Sequence, residues 1–155
     1  MSIDNIADKI VEMGLTLPEA PAPVGSYVNA VLTGNQLHIS GGLPFTAERK
    51  ITGQVPRDVS IEEAQEAARI IVLNRLAIAK DALGSLDKVT QVVSIAGFVN
   101  SAADFYDHPQ VINGASDLLV EIFGEAGKHS RVALGVSALP LNAAVEISMI
   151  LEVAT

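Results

Sequence analysis

Apolar positions recur along this chain with two periods, between three and four residues and two, and the switches between them mark its elements. Near the start, Ile3, Ile6, Ala7, Ile10 and Val11 fall on one helical face, with Ser2 placed to cap the helix and Gly14 to stop it. Pro18, Pro21 and Pro23 then forbid helix and predict an extended linker. Residues 27–32 and 36–40 read as a hairpin about Thr33-Gly34-Asn35. In its second strand Leu37 and Ile39 point one way, and His38 and Ser40 the other. Gly41-Gly42 either ends that strand or lets its backbone come close to another group. Residues 45–58 are polar and read as a loop, with a short strand near 51–55.

Ser60-Ile61-Glu62-Glu63 is a capping box, and it opens the longest predicted helix, residues 61–83. Ile61, Ala64, Ala68, Ile71, Val72, Leu76, Ala79 and Leu83 form its apolar stripe, and Gly84 ends it. Residues 89–99 are apolar on nearly every position, which predicts a central strand. Pro109 suits the first turn of a second helix, capped by Asp107 or His108 and stopped at Gly124. Residues 131–136 and 144–153 read as the last two strands, joined by a turn at Leu139-Pro140-Leu141-Asn142. The order predicts an α+β fold: one mostly antiparallel sheet with two helices on one face, plus an N-terminal helix. The 155 residues suit one domain, 1–155, in which residues 1–16 form a helical extension.

Composition narrows the chemistry. Hydrophobic residues make up 49% of the chain but aromatics only 4%, so the core is built from Ala, Val, Ile and Leu. A formal charge of -8 repels phosphate backbones and argues against a nucleic-acid partner. The absence of cysteine removes disulfides, thiolate catalysis and cysteine-based metal sites. No basic start precedes an apolar run, and no stretch reaches the ~18 apolar residues of a membrane span. A cytoplasmic protein is expected. Against this acidic background the ten Lys and Arg are scattered, so one well-placed Arg would dominate the capture of a small anion.

Arg131 opens an apolar strand. Its planar fork matches a carboxylate in two parallel hydrogen bonds, although a strand-end Arg also pairs with surface acids. Glu146 lies inside the final strand between Val145 and Ile147. It faces either solvent or a pocket, where partial desolvation would suit it to proton transfer. Tyr27 and Ser40 can bond a ligand or simply pack the hairpin. His38, His108 and His129 show no metal-ligand spacing and read as structural.

Taken together, Pro23-Val24-Gly25-Ser26-Tyr27, then Ile39-Ser40-Gly41-Gly42-Leu43-Pro44, then Arg131, Leu139-Pro140 and Val145-Glu146-Ile147 resemble the RidA/YjgF family of reactive-intermediate imine deaminases, also called endoribonuclease L-PSP-like. The resemblance covers residues 20–153. It implies a chorismate-mutase-like domain that forms homotrimers with a site in each interface cleft. It also implies hydrolysis of 2-imino or 2-enamino acids to 2-oxo acids and ammonia, with no cofactor and no metal. Arg131 would bind the substrate carboxylate and Glu146 would place the attacking water. Tyr27, Ser40, Gly41, Ala133 and Asn113 would line the pocket. Two positions depart from the pattern: Ala133 stands where many deaminases have Cys, and Gly135 where an acid is common. They keep open a second expectation, a small-carboxylate binding or regulatory protein of the same fold.

Overall fold

Alternation in the strands and the stripe on the long helix bury one shared face. The computed structural model describes residues 3–154. Five strands, β1 (Ala30–Thr33), β2 (Gln36–Gly42), β3 (Val89–Asn100), β4 (Ser130–Val136) and β5 (Val145–Val153), form one sheet in the order β1-β2-β5-β3-β4. All pairings are antiparallel except β3 with β4, which is parallel. Helices α2 (Ile61–Leu83) and α3 (His108–Phe123) pack on one face, making the expected α+β architecture, and α1 (Asn5–Glu12) is the N-terminal helix. Leu37, Ile39, Ile147, Met149 and Leu151 from the sheet meet Ile71, Leu76, Ile112, Leu118 and Ile122 from the helices in one apolar core. Each fully buried aliphatic side chain there stabilises the fold by about 1.5–3 kcal/mol.

Local signals behave as the sequence predicts where they are strong. The Ser60 side chain accepts the Glu63 N–H and the Glu63 carboxylate reaches back, so both halves of the capping box form. Gly84 closes α2 at φ 85°, a left-handed turn that favours glycine. Differences arise where tertiary contacts compete. The first hairpin strand begins at Ala30 rather than 27, because Asn29 turns away to donate to Pro21 O while its own carbonyl accepts the Ser40 N–H and Oγ–H. Residues 51–55 make single bridges, Thr52 to Ala143 and Val55 to Ser101, and no strand. α3 starts one residue before Pro109, and Asp107 occupies its cap position without a side-chain bond. β3 is flanked on both sides, but the middle strand is β5.

The expected cap at Ser2 lies outside the described residues. Asp4 caps α1 by accepting the Ala7 N–H, and its other oxygen accepts the Leu86 N–H. Asp87 completes the tether by accepting the N–H groups of Asn5 and Ile6, both at 2.9 Å. Those two bonds hold the Asp87 carboxyl below its ordinary range. A depressed folded-state pKa contributes stability that is present above the unfolded value and lost as pH falls through the folded one. The α1 amides are therefore expected to lose protection against deuterium exchange, measured relative to their intrinsic rates, as the medium is acidified, ahead of the sheet, and in Asp87→Ala at neutral pH. Equal protection of α1 in parent and variant would remove this role.

The sheet face opposite α2 and α3 carries exposed aliphatics. Val132 is 48% and Leu134 49% exposed, on the edge strand β4. Among the described residues no helix is long and apolar enough to cross a membrane.

Candidate functional site

A cavity of about 620 Å³ opens where β2 departs from regular pairing with β5. Ile39 pairs with Met149 and Gly42 with Ile147, so Ser40 and Gly41 face the single residue Ser148 in a bulge. The bulge bends β2 beside Glu146. Tyr27, Ser40, Gly41 and Glu146, all singled out by the sequence, line this one cavity. Tyr27 sits in the loop before β1 and its hydroxyl accepts the Val24 N–H at 3.1 Å. The glycine pair answers the question its sequence left open. A Cβ at Gly41 would stand 2.5 Å from Glu146 Oε2, and one at Gly42 would stand 2.7 Å from Arg75 Cζ. Both glycines are there for close approach, not merely to end a strand.

Arg75 is the residue that sequence reasoning missed. It rises from α2, is only 4% exposed, and lines the cavity. Its Nε donates to Asn74 Oδ1 at 2.9 Å and its Nη1 to the Ser40 carbonyl at 2.8 Å. Asn74 in turn donates to the Leu43 carbonyl, pinning the end of β2 to the helix. Burial lowers the Arg75 pKa to about 10, against the charges of Tyr27 and Glu146, so the group stays a cation at neutral pH. A signal was available. Arg75 stands four residues after Ile71 and four before Ala79, inside the apolar stripe, where a charge needs a reason.

Glu146 makes no hydrogen bond or ion pair within 4.0 Å among the described residues. Burial pushes its carboxyl above the ordinary range, and Arg75 pulls only partly the other way. A raised folded pKa contributes stability that is present below the unfolded value and lost as pH rises through the folded one. Glu146→Gln is thus expected to melt slightly above the parent at neutral pH, with the gap gone near about pH 4. A variant that melts lower at neutral pH would show the ionised carboxylate to be stabilising. The half-buried acid is also the group in this cavity best suited to take a proton from water.

The other predicted residues lie elsewhere. Ile95 of β3 pairs with both Arg131 and Met149, which places Arg131 level with Met149 on the helix-covered face. Phe98 pairs with both Leu134 and Glu146, on the opposite face. Within one chain Arg131 and Glu146 therefore do not meet. Ala133 shares the Arg131 side of β4, and Asn113 is exposed on α3; neither lines the Glu146 cavity.

Arg131 is held by a chain of bonds. Its Nη1 donates to Ser116 Oγ at 2.9 Å and its Nη2 to Pro109 O at 3.3 Å. Ser116 Oγ lies 2.9 Å from His129 Nε2, and His129 Nδ1 lies 2.6 Å from Gly127 O. A carbonyl only accepts, so Nδ1 carries a proton; in the neutral ring Nε2 then accepts from Ser116, which leaves a Ser116 lone pair for Arg131. His129 thus orients the guanidinium through Ser116. His108 pairs with Ser101 Oγ at 3.1 Å beneath Gly135, where a Cβ would strike both. His38 bonds Gln36 on the exposed side of β2, away from the cavity. Among the described residues no cluster of three His, Asp or Glu is placed to hold a metal.

Residues 7–153 match the family model described as "YjgF/chorismate mutase-like, putative endoribonuclease". The protein TCP17 of Trypanosoma cruzi is 42% identical over 149 residues, covering 95% of this chain and 93% of that protein. A 2-iminobutanoate/2-iminopropanoate deaminase of Dermatophagoides farinae is 31% identical over 141 residues, covering 90% and 94%. The crystal structure of Atu1372 from Agrobacterium tumefaciens, a protein of unknown function, superposes with a TM-score of 0.89 at 41% identity, over 97% of this chain and 92% of that one.

Proposed function

The chain belongs to the YjgF/RidA family, and on that premise we propose that it hydrolyses 2-imino acids, or their 2-enamino tautomers, to 2-oxo acids and ammonia in clefts shared between copies of itself. The observation that carries the reading is the half-buried Glu146, its pKa raised, in a cavity with Tyr27, Ser40 and Gly41. The remaining group the chemistry needs, a carboxylate clamp, is Arg131, which projects from the other sheet face at the β4 edge. A homotrimer that lays the β4 edge of one copy beside the Glu146 cavity of the next completes the site. The exposed Val132 and Leu134 supply apolar area for that contact.

In the reaction, Glu146 accepts a proton from water as the water oxygen bonds to the iminium carbon and the C=N π pair passes to nitrogen. The resulting tetrahedral carbon carries hydroxyl and amine. Glu146 returns its proton to the amine, the C–N bond breaks with its electron pair leaving on ammonia, and the hydroxyl proton passes to that ammonia, leaving the 2-oxo acid. An iminium carbon is already electrophilic, so orientation by Arg131 and delivery of one water account for the catalysis required. The deaminase of Dermatophagoides farinae supports this reaction class by its likeness to the chain.

A second reading, carboxylate binding without turnover, draws on Gly135. The space beyond its backbone, four positions along β4 from Arg131, is filled by His108 and Ser101, so no acidic side chain stands there. The deciding experiment generates imines in place with an amino-acid oxidase and follows ammonia and 2-oxo acid. Faster release with the purified protein supports the deaminase. No acceleration, together with saturable thermal stabilisation by 2-oxo acids, would replace it with the binding protein.

A further inference from the structure

We propose that Arg75 is a second anion-binding group in the Glu146 cavity, so that the cleft selects 2-imino acids bearing a second anionic group, dicarboxylates foremost. The inference rests on Arg131 clamping the first carboxylate, as above, and names the substrate class of that same site.

Three observations carry it. Arg75 is almost wholly buried yet borders the cavity. Its protein partners are all neutral: Asn74 Oδ1, the Ser40 carbonyl, and Ser40 Oγ at 3.5 Å. Among the described residues no carboxylate lies within 4.0 Å of it, since Glu146 acts on it only at longer range. Its Nη2 has no protein partner there, while no buried side-chain polar atom is left unbonded, so the Nη2 edge is the one that opens to the cavity.

A permanent cation is an expensive way to tie a helix to a strand carbonyl. Burying it without a counter-charge costs several kcal/mol, whereas an apolar residue would continue the stripe of Ile71 and Ala79 at no such cost. An anionic ligand recovers that energy by supplying the missing charge. The planar guanidinium with a free Nη2 edge is suited to a carboxylate oxygen. Two cations then grip the two ends of the substrate: Arg131 from a neighbouring copy holds the 2-carboxylate, and Arg75 the distal one. The cavity, at about 620 Å³, has room for the longer acid.

Calorimetric titration of the full chain with 2-oxobutyrate and 2-oxoglutarate tests this. The parent is expected to favour the dicarboxylate by at least about tenfold. The ratio should fall toward one in Arg75→Gln and stay intermediate in Arg75→Lys, which keeps the charge but not the fork. A parent ratio near one, or a ratio in Arg75→Gln equal to the parent's while both affinities drop, would overturn the inference and leave Arg75 a prop for the β2 turn. If Arg75→Gln fails to fold, the parent ratio and Arg75→Lys decide. Turnover of monocarboxylate imines by the parent is read separately. Absence of turnover with these and with the imine of glutamate alike removes the deaminase reading, and the affinity ratio still stands or falls by itself.

Discussion

Arg131→Ala is expected to lower kcat/KM for 2-imino acids by about 10²–10³-fold in the oxidase-coupled assay, the loss of roughly 3–4 kcal/mol from a charge-assisted, two-pronged contact. The fold should survive. Arg131 is half-buried at a sheet edge, and its bonds go to Ser116 and to one carbonyl. Arg131→Lys should recover little, because an ammonium supplies a point charge where a fork is needed. A variant as active as the parent would sink the assignment of Arg131 as the clamp. The same experiment reports on the support behind it. If Ser116 and His129 hold the guanidinium in place, Ser116→Ala should raise KM while the melting temperature barely moves.

Gly114→Ala is expected to destabilise the protein by about 2–3 kcal/mol, a fall in melting temperature of about 5–10 °C by calorimetry. The sign is what makes the result informative. In an ordinary helix interior Ala is better than Gly by about 1 kcal/mol. Here α3 crosses α2 so closely that a Cβ on Gly114 would press on the Gln65 carbonyl oxygen and stand 2.9 Å from Gln65 Cα. Backbone has no rotamer by which to escape, so the helices must separate. Gln65 also donates to the Gln110 carbonyl at 2.8 Å, which ties the same crossing one turn earlier in α3. Separation would carry Ser116 away from Arg131, so the stability defect should bring weakened carboxylate binding with it. An unchanged or raised melting temperature would show that the crossing tolerates a methyl group.

Local signals in the sequence specify much of the fold. The capping box at Ser60, the stop at Gly84 and the hairpin about Gly34 are local signals, written in residues next to one another, and they hold in the structure. The alternation of Leu37 and Ile39 against His38 likewise holds. Tyr27, Ser40, Gly41 and Glu146, which the sequence pattern marks together, share a cavity. No single residue among them announces a site; their spacing together does.

What the sequence determined by itself was periodicity: which residues of a strand share a side, and where helices begin and end. It left open which side of one strand lines up with which side of another. That depends on register, and register depends on the bulge at Ser40 and Gly41 and on the pairing of β3 with both β4 and β5. Only the tertiary structure therefore put Arg131 and Glu146 on opposite faces of the sheet, so that the two do not meet within one chain. Only it brought Arg75, thirty-five positions from Ser40 in the chain, across Gly42 into the cavity. Side-chain period is a property of the backbone's own geometry. The meeting of distant residues is a property of packing, which no local pattern encodes.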